Sequence, residues 1–179
     1  MIRLVLIGMK HSGKTTLGRL LASRLDISFF EFDDYLVEAH EQQTGDTLSI
    51  RDIFKAYGND YGRCLETECL RRLAQNIDQQ EYVVALGGGT PIRPENHSFV
   101  KKLGTVIYLL PDKDIVYNRI LKKGVPAFFP YPEDPRRSFE ELWQERHPIY
   151  SKLADCVVRL IDGPQQQNIE LILKEVHTV

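Results

Sequence analysis

Gly8-Met9-Lys10-His11-Ser12-Gly13-Lys14-Thr15 holds two glycines with four residues between them, then Lys and a hydroxyl residue. That spacing is the phosphate-cradling loop of nucleotide-binding α/β proteins. Gly8 and Gly13 let the backbone bend until its N–H groups point into one concavity, and the start of the next helix adds unpaired N–H groups and a positive dipole end. Lys14 supplies a point charge for terminal phosphates, the Thr15 hydroxyl ligates Mg²⁺, and Ser12 and Thr16 complete the nucleotide-facing set. A plain glycine turn leaves the Lys and the two Thr unexplained.

A second group of residues is scattered in sequence. Glu31, Asp33 and the run Gly87-Gly88-Gly89 fall at the carboxyl ends of predicted strands, where ligands bind in open α/β sheets, and Arg63 and Arg146 fall on flanking helices. Guanidinium groups hold a carboxylate bidentately, and Asp33 is suited to accept a hydrogen bond from an attacking hydroxyl. Three consecutive glycines after a buried strand cost backbone entropy, which suggests close approach to a ligand. The set fits a small molecule bearing a carboxylate and hydroxyls. Each member also has a plainer role. Asp33 is a good helix cap, Arg63 with Glu66 a surface pair, Arg146 a partner for Glu141 or Glu145, and the glycines a simple loop.

The elements that must position these groups alternate along the chain. Apolar strands are predicted at Ile2–Ile7, Ile27–Phe32, Tyr82–Leu86, Thr105–Leu110 and Cys156–Ile161. Between them the periodicity predicts helices over Thr16–Leu25, Asp34–Gln43, Leu48–Tyr57 capped by the turn Thr44–Thr47, and Asn59–Ile77 with Leu65, Cys69, Leu73 and Ile77 as its stripe. Further helices are predicted from Pro94 to Leu103, after Pro111-Asp112, from a Ser138 cap to Leu153, and over Ile169–Val176. Residues 125–137 hold four prolines, three aromatics and two arginines with no period, so they read as a functional lid or an excursion. Phe128, Phe129 and Tyr131 there read as packing residues. The whole is an α/β three-layer sandwich, a five-stranded parallel sheet with helices on both faces.

With 179 residues the chain reads as one domain, 1–179, with acceptor-binding helices at about 33–77 and a mobile lid at about 122–137. A net charge of -2 gives no general attraction for nucleic acid or an anionic membrane, so anions must be held by local basic residues. No apolar run is long enough to cross a bilayer, and the six-residue run at the start reads as a strand, not a signal peptide. Three cysteines, an odd number without an export signal, point to reduced thiols in the cytoplasm, and all three read as buried or half-buried packing residues. A monomer is expected.

The spaced combination resembles the shikimate kinase family over nearly the whole chain. It comprises the Gly-x4-Gly-Lys-Thr loop, Phe30-Glu31-Phe32-Asp33, Thr44-Gly45, Ile50-Arg51-Asp52-Ile53-Phe54, Gly58 with Arg63 and Glu66, Gly87-Gly88-Gly89, and Arg146-His147-Pro148-Ile149-Tyr150. The resemblance implies the nucleoside-monophosphate-kinase fold with strand order 2-3-1-4-5, use of ATP and Mg²⁺, and phosphorylation of the shikimate 3-hydroxyl in aromatic amino acid biosynthesis. It assigns Asp33 to the acceptor hydroxyls and the base role, Arg63 and Arg146 to the carboxylate, Gly88 and Gly89 to the floor beneath the ring, Arg119 and Pro164 to the adenine, and Glu31 to a Mg²⁺-bound water.

Three departures stand out. Glu31 replaces the family's usual Asp, Gly62 replaces a Phe before the substrate arginine, and Gly124-Val125-Pro126-Ala127-Phe128 lacks the lid's usual Arg-Pro-Leu-Leu arginine. Lys122, Lys123, Arg136 and Arg137 are the nearby cations in sequence. A related kinase with another acceptor and a weakly catalytic nucleotide-binding protein share the same loop.

Overall fold

The computed structural model describes residues 1–76, 80–122, 124–126 and 128–176. Strand β1 (Arg3–Ile7) is buried from Leu4 onward because helices cover both of its faces, and its side chains alternate between two cores. Leu4 and Leu6 join Leu17, Leu21 and Ala22 of α1 (Lys14–Leu25) and Ile169 and Ile172 of α7 (Gln165–Val176). Val5 and Ile7 face the opposite core, which includes Leu36 of α2 (Phe32–Thr44), Leu65 of α3 (Ile50–Gln75), Val100 of α4 (His97–Leu103), Ile120 of α5 (Lys113–Leu121) and Tyr150 of α6 (Pro135–Leu153). The other strands are β2 (Ser28–Glu31), β3 (Tyr82–Ala85), β4 (Thr105–Leu110) and β5 (Cys156–Arg159). All pairings are parallel and the order is β2-β3-β1-β4-β5. That is the expected sheet. No described helix is long and apolar enough to cross a membrane.

Several boundaries differ from the sequence reading, each for a local reason. Phe32 ends no strand: it opens α2, and Glu31 in extended backbone is the cap position. Asp33 therefore lies inside the first turn and is not the N-cap. Ser49, not the Thr44–Thr47 turn, caps α3 by accepting from the Asp52 N–H, and Gly58 (φ 86°, ψ 166°) breaks that helix where the sequence split it. α4 starts at His97 after two 3₁₀ turns, Thr90–Ile92 and Pro94–Asn96. The polar run Gln165-Gln166-Gln167 hid the first turn of α7 from an apolar period. Ile77, Lys123 and Ala127 lie outside the described residues.

The connection between α5 and α6 runs over 122–134, three residues earlier than the irregular stretch 125–137 read from composition. Asp134 caps α6 by accepting from the Arg137 N–H, and Pro135 occupies the first helical position, where its missing N–H costs nothing. Ser138 is thus not the cap. It is fully buried, its hydroxyl donates to the Tyr131 carbonyl and accepts from the Tyr131 N–H at 2.9 Å each, and it ties the connection to the helix. Phe129 anchors the same segment in the core, whereas Phe128 is 45% exposed. Among the cysteines Cys69 and Cys156 are buried as expected, but Cys64 is exposed.

Ser138→Ala leaves both backbone groups of Tyr131 without that partner. The expected loss of unfolding free energy is about 1–3 kcal/mol, measured by urea denaturation; a change within about 0.3 kcal/mol contradicts the tie.

Candidate functional site

Every strand ends at the same edge of the sheet, and the candidate residues follow from that. β1 runs into Gly8, whose φ of 142° places its backbone where a Cβ would lie 2.8 Å from the Leu109 carbonyl. Gly13 (φ 98°) caps α1 without a side chain, so the first-turn N–H groups remain open to an anion. Lys14 folds back across the loop and donates to the Gly8 and Met9 carbonyls at 3.0 and 2.9 Å. Burial pulls its pKa down to about 8, against the opposing charges of Asp33 and Glu31. Ser12 is buried with an unpartnered hydroxyl, and Thr15 and Thr16 are exposed on the first turn.

Glu31 leaves β2 within hydrogen-bond reach of the Thr15 hydroxyl, and burial raises its pKa. Its Oε2 is buried with no partner. Asp33, one residue into α2, is half-buried, and burial raises its pKa although Lys14 and then Lys10 oppose the shift. A carboxylate held above its ordinary range, yet flanked by cations, is suited to accept a proton.

The glycine run explains how these groups come together. A Cβ on Gly87 would lie 2.8 Å from Asp33 Oδ1, one on Gly88 would lie 3.2 Å from the Lys10 backbone nitrogen, and one on Gly89 would fall on the Arg63 guanidinium. Each glycine thus admits one site element. Arg63 pairs with Glu66 at 2.6 Å, and Glu66, 4% exposed, also accepts from the Thr90 hydroxyl. This is a buried network, not the surface pair its spacing allowed. Gly62 acquires a reason as well: a Cβ there would lie 2.6 Å from the Phe54 ring, which in turn sits 5.1 Å beneath the Arg63 guanidinium.

Arg146 joins the same cluster from α6. Its Nε is buried without a partner, and no ion pair among the described residues includes it, so neither Glu141 nor Glu145 holds it. One turn on, Tyr150 is fully buried, and its hydroxyl donates to the Gly88 carbonyl at 2.5 Å. Burial pushes the Tyr150 pKa up to about 12, so it stays a donor. Phe54 and Tyr150 stood in the sequence motifs without a role, because neither type announces a support function until its neighbours are known.

Arg119 is exposed on α5 and donates weakly, at 3.5 Å, to the His11 carbonyl of the phosphate loop. Pro164 stands at the entry of α7 beyond β5, where its carbonyl accepts from the Gln167 N–H. Arg136 is held by Asp114 and Glu140, and Arg137 by Glu141, so neither is the unpaired lid cation its sequence position allowed. Lys122 is exposed at the end of α5.

The loop, the sheet order and the carboxylate beside it define a P-loop kinase, a phosphotransferase acting on a hydroxyl acceptor. A sequence model of shikimate kinase matches residues 10–177. The shikimate kinase of Rhizobium meliloti (strain 1021) is 31% identical over 97% of this chain and 84% of its own, and that of Ralstonia nicotianae (strain ATCC BAA-1114 / GMI1000) 33% identical over 95% and 84%. The structure of shikimate kinase from Acinetobacter baumannii in complex with shikimate superposes with a TM-score of 0.83 at 27% identity, covering 99% of this chain and 94% of that one. The enzyme from Aquifex aeolicus vf5 gives 0.73 at 30%, covering 99% and 97%. The chain belongs to the shikimate kinase family.

A Cβ at Gly89 falls on the Arg63 guanidinium, so Gly89→Ala is expected to displace it, loosen its pair with the buried Glu66 and lower unfolding free energy by about 1–3 kcal/mol. Calorimetry should then show shikimate binding weakened by about tenfold or more, the loss of a charge-assisted hydrogen bond. Unchanged binding places Arg63 outside the acceptor pocket.

Proposed function

We propose that this protein transfers the γ-phosphoryl group of Mg²⁺·ATP to the 3-hydroxyl of shikimate. The observation that carries this reading is the convergence of Asp33 and Lys14 with Arg63 and Arg146 around the Gly87–Gly89 floor. Lys14, Gly8, Ser12, Gly13, Thr15 and Thr16 take the phosphates, and Arg119 and Pro164 flank the adenine. The bound phosphates replace the loop carbonyls as partners of the Lys14 ammonium. Arg63 and Arg146 grip the shikimate carboxylate. The unpartnered Arg146 Nε supports this role, because a buried donor without an acceptor is costly unless a ligand supplies one. Asp33 accepts the proton of the 3-hydroxyl as that oxygen attacks.

Thr15 and Glu31 fit a Mg²⁺ site in chemistry. Both offer hard oxygen ligands, and the orphaned Glu31 Oε2 has capacity for a metal-bound water. Mg²⁺ keeps most of its waters and takes phosphate oxygens, so one or two protein oxygens are enough to hold it. When bound, the ion neutralises charge on the β- and γ-phosphate oxygens.

A coupled ADP-release assay with Mg²⁺·ATP should show turnover that requires shikimate. Release that ignores shikimate, with ATP binding intact, contradicts the acceptor. In the same assay Asp33→Asn should lower kcat by about 10²- to 10⁴-fold and leave ATP affinity within about threefold; an unaltered kcat removes Asp33 from the base role.

ATP affinity should also depend on pH through Lys14. Its pKa is depressed to about 8 in the free protein, so the ammonium is present at pH 7 and is lost as pH rises through 8. The dissociation constant is expected to rise by up to about tenfold between pH 7 and pH 9, following the free-protein protonated fraction. A constant value over that range excludes this titration.

A further inference from the structure

One cation near Asp33 occupies a variable position of the loop motif. After Lys14, the charge that bears most on Asp33 is that of Lys10, ahead of Arg63. Lys10 acts on Lys14 too, so its ammonium lies near both groups. Its backbone supports the same placement. The Lys10 nitrogen lies 3.2 Å from where a Cβ on Gly88 would stand, so the side chain leaves the loop at the glycine floor.

From there it reaches the connection between α5 and α6, where its Nζ lies 5.9 Å from the centre of the Phe128 ring. That ring is 45% exposed. It meets Phe129 edge-on at 5.4 Å, and Phe129 is buried in the core. An ammonium over an aromatic face is attracted by the ring quadrupole, yet this hold is weak enough to give way to an anion. The arginines that follow this connection are committed elsewhere: Arg136 to Asp114 and Glu140, and Arg137 to Glu141 and the face of Tyr131.

We propose that Lys10 is a catalytic residue for phosphoryl transfer, its ammonium moving from the face of Phe128 onto the oxygens of the group in flight. This rests on the function proposed above. As the acceptor oxygen bonds to phosphorus, the bond from phosphorus to the ADP oxygen breaks and its electron pair leaves with ADP. The hydroxyl proton passes to Asp33. The Lys10 side chain stabilises charge as it spreads over the equatorial oxygens. A compact ammonium on a four-carbon stem has the reach and freedom to follow that group.

The test compares the intact protein with Lys10→Met, which keeps the stem, and Lys10→Arg, which keeps the charge. Lys10→Met should lower kcat by about 10²- to 10³-fold with the KM for ATP and for shikimate each within about threefold, and Lys10→Arg should recover most of the loss. A second readout needs no turnover: Mg²⁺·ADP affinity with and without aluminium fluoride, a mimic of the phosphoryl group in flight. The fluoride-dependent gain should shrink at least tenfold in Lys10→Met while affinity for Mg²⁺·ADP alone is unchanged. If the parent turns over shikimate and Lys10→Met keeps its kcat within twofold, the role of Lys10 is overturned and the function stands. If the parent ignores shikimate, the function fails, and an unchanged fluoride gain in Lys10→Met overturns Lys10 separately.

Discussion

Three absent methyl groups govern this structure. The chain after β3 must let a carboxylate, a loop backbone and a guanidinium approach it from three elements, and Gly87, Gly88 and Gly89 each make room for one of them. The sequence suggested that these glycines clear space for a ligand. Their immediate task is internal: they let Asp33, the phosphate loop at Lys10 and Arg63 share one floor. Tyr150 then fixes that floor from below through the Gly88 carbonyl, and its ring packs on Tyr108 of β4 at 5.2 Å. The position of the acceptor site relative to the phosphate loop is thus set by close packing of backbone, which is stiff.

The same convergence sets the electrostatics. Burial raises the pKa of Glu31, Asp33 and Glu66 and lowers that of Lys14, while each group is partly rescued by charges of the opposite sign. Without ligands, Lys14 rests on two carbonyls and Arg146 keeps a buried donor unpaired. In the proposed function such a site is completed by anions, one at the phosphate loop and one between the arginines. Burial makes each of those contacts stronger than it would be in water.

The sheet was legible because β1, β3 and β4 are short apolar runs between helical periods, and the loop was legible because its glycines and Lys14 obey a fixed spacing. Asp33, Arg63 and Arg146 were candidates by residue type, and the structure places Asp33 in the first turn of α2 and the arginines on α3 and α6. What sequence could not supply was which residue supports which. The fit of Phe54 over Gly62, the tie from Tyr150 to Gly88 and the burial of Glu66 are contacts between distant segments that leave no local period. Helix starts failed where polar residues filled the first turn, as at Gln165, or where two caps competed, as with Asp134 and Ser138. Lys10 was passed over because the motif leaves its position free.

In the proposed reaction Asp33 and the two arginines present one particular hydroxyl of a carboxylate-bearing ring to the phosphate loop. The most direct test is phosphorus–proton correlation NMR on the product formed from Mg²⁺·ATP and shikimate. A single phosphorus signal coupled to the ring proton on C3 is expected. A phosphate on another oxygen, or no phosphorylated shikimate at all, would contradict it.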